Sequence, residues 1–193
     1  SSMRFWHPTI EKDLSPLTII PRGFGGSDLT DAVLFVDRIV TPYKPRAVVI
    51  YAGENDLVQG TKPEKVAEDF REFVKKVHKD LPDARIYFIS IKPSVGRWYI
   101  IKKIYETNRL IATDCALDKR LIFVDMTNAM LDSENQPRPE LYGIDGYHLS
   151  KEGYAIWRDV LKPVLLKNEL ELESKKEEPV PPEDPKKITP LKP

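Results

Sequence analysis

The sequence predicts one α/β domain built on a parallel sheet with helices on both faces. Three observations carry this. Short runs rich in β-branched and apolar residues, at 47–51, 85–90 and 121–125, alternate with longer segments whose apolar residues recur at helical spacing. Gly- or Pro-containing turns follow the first two runs. A chain of 193 residues has room for one core of ordinary size and argues against two.

The elements follow in order. Residues 17–20 read as a brief strand. Residues 29–40 carry Val33, Phe35, Val36, Ile39 and Val40 near a 3.6-residue period, and Pro42 and Pro45 end that helix. Residues 47–51 are almost wholly apolar, which suits a strand buried on both faces. Pro63 fits a first helical turn, and Val66, Phe70, Phe73, Val74 and Val77 form an amphipathic stripe behind it. A strand at 85–90, a helical pattern over 98–117, a strand at 121–125 and a helix over 151–166 complete the domain. Ser150 N-caps that last helix and Pro163 bends it. From Asn168 the chain turns Glu-, Lys- and Pro-rich, so a domain over 1–167 and a solvated tail over 168–193 are expected.

Charge and composition exclude several classes. Thirty basic and thirty acidic side chains balance, so no net field recruits nucleic acid or an anionic membrane. No apolar run approaches the roughly 20 residues of a membrane span. The lone Cys115 excludes an intrachain disulfide and a multi-cysteine zinc site, and reads as a packed thiol. Three histidines are too few for a histidine-rich metal centre. Of these, His7 and His78 have no chemical company, and His78 lies on a solvated helix face with Lys75, Lys76 and Lys79. Lys102 and Lys103 read as an exposed helix surface. Compartment and oligomeric state stay open.

The residues that suggest chemistry occur in a definite order. Asp145 and His148 lie three apart in Asp145-Gly146-Tyr147-His148, just ahead of a helix start. Gly53-Glu54-Asn55-Asp56 follows one strand, a Gly-rich turn spans 23–27, and the chain opens on Ser1-Ser2. Ligands of doubly wound sheets sit beyond the carboxyl ends of the strands, and the 23–27 turn, the 53–56 loop and the 92–97 segment all fall on that edge. Ser, Gly, Asn and His are the parts of an acyl-transfer site: nucleophile, oxyanion donors and base.

With these blocks in that order, the chain resembles the SGNH hydrolases, also called the GDSL esterase/lipase family. Gly53-Glu54-Asn55-Asp56 and Asp145-Gly146-Tyr147-His148 match two of its blocks, and Arg22-Gly23-Phe24-Gly25-Gly26-Ser27 resembles its Gly block. Ser1-Ser2-Met3-Arg4-Phe5-Trp6 is similar to the second half of a Gly-Ser-Ser-Ser-hydrophobic-Arg-x-Trp first block. The resemblance covers about 1–166. It implies a flavodoxin-like, three-layer α/β/α fold whose first strand is missing from this chain, leaving a gap or exposed edge beside 17–20 and 47–51.

The resemblance also implies roles. Ser1 would be the nucleophile, His148 the base and Asp145 the acid that orients it. The oxyanion donors would be the backbone N–H groups of Ser1 and Gly26, with Gly25 the alternative, and the Asn55 side-chain amide. Asp56 would be structural. Arg97, Trp98 and Tyr99 would border the substrate; Trp98 and Tyr99 could stack on a sugar ring or line an acyl pocket, with core packing the competing reading. The expected activity is hydrolysis of a small carboxylic ester, short-chain or acetyl, with acetylated carbohydrates among the candidates and neither metal nor cofactor required. The rival readings are an inactive relative that binds a carbohydrate or partner, and a nucleotide or phosphate binder using the 23–27 turn, which leaves Asp145 and His148 unexplained.

Overall fold

The computed structural model describes residues 1–173. Helix α1 (Ser2–Leu14) leads into an irregular stretch and helix α2 (Leu29–Ile39). Strand β1 (Ala47–Ile50), the short helix α3 (Glu54–Val58) and helix α4 (Pro63–Asp80) follow. Strand β2 (Arg85–Ile89), a 3-10 turn (Val95–Ile100) and helix α5 (Ile101–Ala116) come next, then strand β3 (Leu121–Val124), two 3-10 turns and helix α6 (Lys151–Glu173). The strands form a parallel sheet in the order β1-β2-β3.

Alternation along β2 divides the interior into two cores. Ile86 and Phe88 pack with Val36 of α2, Val66, Phe70 and Phe73 of α4, and Ile104 and Ile111 of α5. Tyr87 and Ile89 face the other way, onto Trp6, Ile10 and Leu14 of α1 and Trp157, Leu161 and Leu165 of α6. Helices thus cover both faces, and the fold is the expected three-layer α/β/α arrangement. Trp6 and Trp157 are fully buried and meet edge to face at 6.0 Å; burial of each ring contributes roughly 2–3 kcal/mol.

Several expectations need correction. Residues 17–20 form no strand: Pro16 and Pro21 bracket them, and the Thr18 N–H donates to the Glu173 carboxylate instead of to a ladder. Strand β1 is the sheet edge, so Ala47, Val48 and Val49 are half-buried and only Ile50 is buried, not both faces throughout. Helix α1 has no counterpart in the expected elements, although Trp6, Ile10 and Leu14 recur every four residues along its buried face. His78 is half-buried, its ring nitrogen Nε2 donating to the Ala84 carbonyl at 2.9 Å.

The largest departure is at α6, which runs past Leu166 and through Pro163 to Glu173. The tail expected from Asn168 is therefore helical up to Glu173, and the rest of that expectation, 174–193, lies outside the described residues. The reason is ionic. Glu169 is 2 % exposed and takes hydrogen bonds from Arg85 at 2.6 and 2.7 Å, Arg46 at 3.1 Å and the Tyr87 hydroxyl at 2.6 Å. Arg46 also pairs with Glu173. These bonds tie the last turns of α6 to the N-terminal ends of β1 and β2.

At the opposite end of the sheet, two loops are stitched together. The Tyr142 hydroxyl donates to the Pro93 carbonyl, and the Gly96 N–H donates to the Gly146 carbonyl at 2.9 Å. The approach is close enough that a Cβ on Gly96 would stand 2.6 Å from the Asp145 carbonyl oxygen. Ser150 caps α6 as expected, its hydroxyl accepting from the Gly153 N–H at 3.1 Å.

Two stability predictions follow from these contacts. Burial alone would raise the Glu169 carboxyl, but the bonds from Arg85 and Tyr87 outweigh it and hold the group below the usual glutamate range. A depressed carboxyl contributes stability above its unfolded pKa, near 4.3, and loses it as pH falls through the folded value. Glu169→Gln should lower stability at pH 7 by about 2 kcal/mol and flatten the loss of melting temperature below about pH 4; an acid limb equal to the parent's would refute the assignment. Gly96→Ala should cost about 1–3 kcal/mol in urea melts, whereas Gly143→Ala, whose methyl meets nothing closer than 3.8 Å, should cost little.

Candidate active site

The groups singled out by sequence converge beyond the carboxyl ends of the strands. The loop that ends in His148 turns on Asp145, whose Oδ1 accepts the backbone N–H of Tyr147 at 3.0 Å and of His148 at 2.9 Å. Gly146, with φ at +73°, lets the chain reverse within that turn. The second oxygen, Oδ2, lies 2.7 Å from His148 Nδ1. A carboxylate only accepts, so Nδ1 carries the proton and Nε2 of the neutral ring offers a lone pair. Ser1 Oγ sits 2.8 Å from that Nε2 and donates to it. Slight burial opposes ionisation of Asp145, but the two backbone N–H donors and the imidazole prevail and hold its carboxyl at about 2. Phe5 packs edge-on to the imidazole at 4.9 Å and Tyr147 lies against it at 4.5 Å.

Ser1 is held from three sides. Its carbonyl accepts from the Phe5 N–H at 3.0 Å, its nitrogen donates to the Phe24 carbonyl at 3.1 Å, and the Tyr154 hydroxyl of α6 donates to the next carbonyl, Ser2, at 2.8 Å. Gly23 must be glycine for this: a Cβ there would stand 2.6 Å from Met3 Cβ and 2.8 Å from the Arg4 nitrogen. The Gly23 N–H donates to His7 Nε2 at 3.1 Å.

Asn55 lies in the first turn of α3, which opens on Gly53 at φ +104°. Its Nδ2 donates to the Ser27 carbonyl at 2.8 Å. Gly25 and Gly26 are thus the two residues between a carbonyl bonded to Ser1 and a carbonyl bonded to Asn55. Gly26 has φ at +69°, and a Cβ there would meet nothing within 4 Å, so backbone conformation and not space calls for glycine. Asp56 turns away and accepts the Leu29 N–H at 3.0 Å, tying α3 to the start of α2.

The structure brings Ser1, Asp145 and His148 into one hydrogen-bonded chain and links Asn55 to the Gly turn. Arg97 joins them through Asn55 Oδ1, to which its Nη1 donates at 3.1 Å. Trp98 and Tyr99 have no such bond among the described residues; Trp98 is half-buried and Tyr99 is 74 % exposed. Chemically, the arrangement can move a proton from a hydroxyl to an imidazole beside amide donors able to meet a developing negative charge.

Sequence reasoning missed what lies beneath. Lys92 is completely buried and its ammonium bonds to Glu54 Oε2 and, at 3.0 Å, to the Tyr51 hydroxyl. Tyr51 in turn donates to Glu54 at 2.6 Å. Burial draws the Lys92 ammonium below its ordinary value, and Glu54 offsets only part of that. Burial would raise Glu54, yet Lys92 and Arg97 outweigh it, so the carboxylate is held ionised. The available signal was a lysine just beyond a strongly apolar strand, in Ile89-Ser90-Ile91-Lys92. Cys115 is buried, which pushes its thiol up to about 12, in keeping with a packed residue. Among the described residues no cluster of three His, Cys, Asp or Glu side chains could hold a metal, and no helix is long and apolar enough to cross a membrane.

This fold has known counterparts. A GDSL-like lipase from Bacteroides thetaiotaomicron superposes with TM-score 0.73 at 21% identity, over 86% of this chain and 84% of that one. A carbohydrate esterase family 3 structure from Talaromyces cellulolyticus gives TM-score 0.65 at 15% identity, over 92% and 93%. A family 3 carbohydrate esterase from Clostridium thermocellum gives 0.61 at 16%, over 80% and 70%. At such identities these are likenesses of fold. No curated protein matches the chain by sequence. Residues 3–156 match the family model of the GDSL-like lipase/acylhydrolases, which is most of the chain, and the protein belongs to that family.

Proposed function

We propose that the protein is a serine esterase that hydrolyses small carboxylic esters through an acyl-enzyme. The observation that carries this reading is the continuous chain from Ser1 Oγ through His148 to Asp145, with bonds of 2.8 and 2.7 Å. In the first half-reaction Ser1 Oγ attacks the acyl carbonyl carbon as its proton passes to His148 Nε2. The carbonyl π electrons move onto oxygen, where Asn55 Nδ2, the Gly26 backbone N–H and the Ser1 nitrogen would be the donors, the last using a hydrogen other than the one given to the Phe24 carbonyl. When the tetrahedral intermediate collapses, the ester C–O bond breaks and the imidazolium gives its proton to the departing alcohol. Water then repeats the sequence on the acyl-serine and releases the acid. Asp145 keeps Nδ1 protonated and stabilises the imidazolium without itself becoming protonated.

Short acyl groups, acetyl first, are the substrates this reading expects. The 92–97 segment that borders the site is short and is pinned to the 143–148 loop, and among the described residues no long apolar lid extends from either. Two structural neighbours named as carbohydrate esterases make acetylated sugars the natural alcohol class to try first.

The test is turnover of p-nitrophenyl acetate, longer acyl homologues and acetylated xylosides. Acetyl esters should be preferred, and activity should persist in chelator. Ser1→Ala and His148→Ala should each lower kcat by at least about 10³-fold, and Asn55→Ala by about 10²–10³-fold with the fold intact. Asp145, held at about 2, should stay ionised across the whole pH range in which turnover is measured, so its own protonation should leave no step in the rate profile above about pH 3. Wild-type turnover in His148→Ala would sink the mechanism. Inactivity toward every ester, with sugar binding retained, would favour a binding module instead.

A further inference from the structure

Arg97 looks at first like a group waiting for substrate, but its surroundings are already filled. The side chain is 14 % exposed. Nη1 lies 3.1 Å from Asn55 Oδ1 and 3.3 Å from Glu54 Oε1, and the guanidinium carbon stands 4.3 Å over the Tyr147 ring. Glu54 Oε1 is buried and has no hydrogen bond of its own, so Arg97 is the cation that faces it, while Oε2 is taken by Lys92 and Tyr51. Glu54 and Tyr147 therefore place the guanidinium before any ligand arrives.

What that placement decides is the orientation of a primary amide. The two ends of an Asn side chain are nearly equal in size and opposite in function, one accepting and the other donating twice. At Asn55 each end is chemically read. The end facing Arg97 must be oxygen because a guanidinium only donates. The end facing the Ser27 carbonyl must be nitrogen, and it sits 2.8 Å away. A flipped amide would set N–H against N–H at Arg97 and oxygen against oxygen at Ser27. With one Nδ2 hydrogen spent on Ser27, the other is left for the oxyanion.

We propose that Arg97 is a positioning residue that fixes the Asn55 amide with its free N–H toward the reacting carbonyl, and is not itself a substrate ligand. The inference rests on the esterase reading above. Because Tyr147 also lies against His148, the same guanidinium keeps amide donor and base in register.

A double-mutant cycle in the full chain separates the possibilities. If Arg97 acts through the amide, Arg97→Ala should lower kcat by about 10- to 10²-fold, less than loss of the donor itself, with KM little changed. In the Asn55→Ala background the same substitution should add almost nothing. Arg97→Lys, which keeps a cation against Glu54 without the planar fork, should fall between and guards against failure of the alanine variant to fold. Additive losses, or a loss confined to KM, would overturn the proposal while leaving the esterase reading intact. A second measurement does not depend on turnover. In ¹⁵N-labelled protein the Asn55 side-chain NH2 should be rigid in the parent and mobile in Arg97→Ala and Arg97→Lys, and unchanged order in both variants would overturn the proposal even if no ester were hydrolysed.

Discussion

A carboxylate cut off from water at the end of a sheet is stable only where cations and hydroxyls meet it, and the site of this protein is organised around one such group. Glu54 is the first residue of α3, directly after Gly53 and the turn that leaves β1. Its partners come from elsewhere: Tyr51 at the end of β1, Lys92 in the segment after β2, and Arg97 at the turn beyond. Each contact pulls a loop toward the same point. Leaving Lys92 unpaired in the interior would be as costly as leaving Glu54 so, and the pair therefore specifies one arrangement of the β1 and β2 loops. Arg97 carries that arrangement outward to Asn55 and Tyr147.

The hydrophobic layers serve the same end by less directional means. Strand β2 is buried on both faces and separates the two cores. On one face the aromatic block of Trp6, Tyr51, Tyr154 and Trp157 ties α1 to α6. That contact brings Ser1, at the start of α1, beside the loop that precedes α6. The hydrogen bond between Ser1 and His148 thus depends on ring packing several residues away, with the Tyr154 hydroxyl adding a polar tie at Ser2. At the far end of the sheet, Glu169 performs for α6 what Glu54 does for the loops, gathering Arg46, Arg85 and Tyr87.

Much of this was legible in the chain because it is written at short range. The stripe of Val66, Phe70, Phe73 and Val77 announces α4, and Pro63 marks its first turn. The Asp145 to His148 spacing lets one carboxylate cap two backbone N–H groups and still reach the imidazole, which is a property of four consecutive residues. What could not be read shares a different character. Residues 17–20 have strand composition but lack a paired neighbour, and pairing, not propensity, makes a strand. The final turns of α6 look like solvated tail until Arg46 and Arg85 are seen to lie opposite Glu169.

By itself, then, the sequence determined the alternation of helix and strand, the edge of the sheet where chemistry is gathered, and the candidate acid, base and amide, since periodicity, turn chemistry and motif spacing are local. Only the tertiary structure decided which groups meet. Ser1 and His148 are 147 residues apart, Lys92 and Glu54 are 38 apart, and Arg97 and Asn55 are 42 apart. Over such separations a hydrogen bond exists only if two cores close around it, and the charge a residue keeps is set by the neighbours that closure delivers. That is why Lys92, unremarkable in the segment after β2, turns out to be fully buried beneath the site.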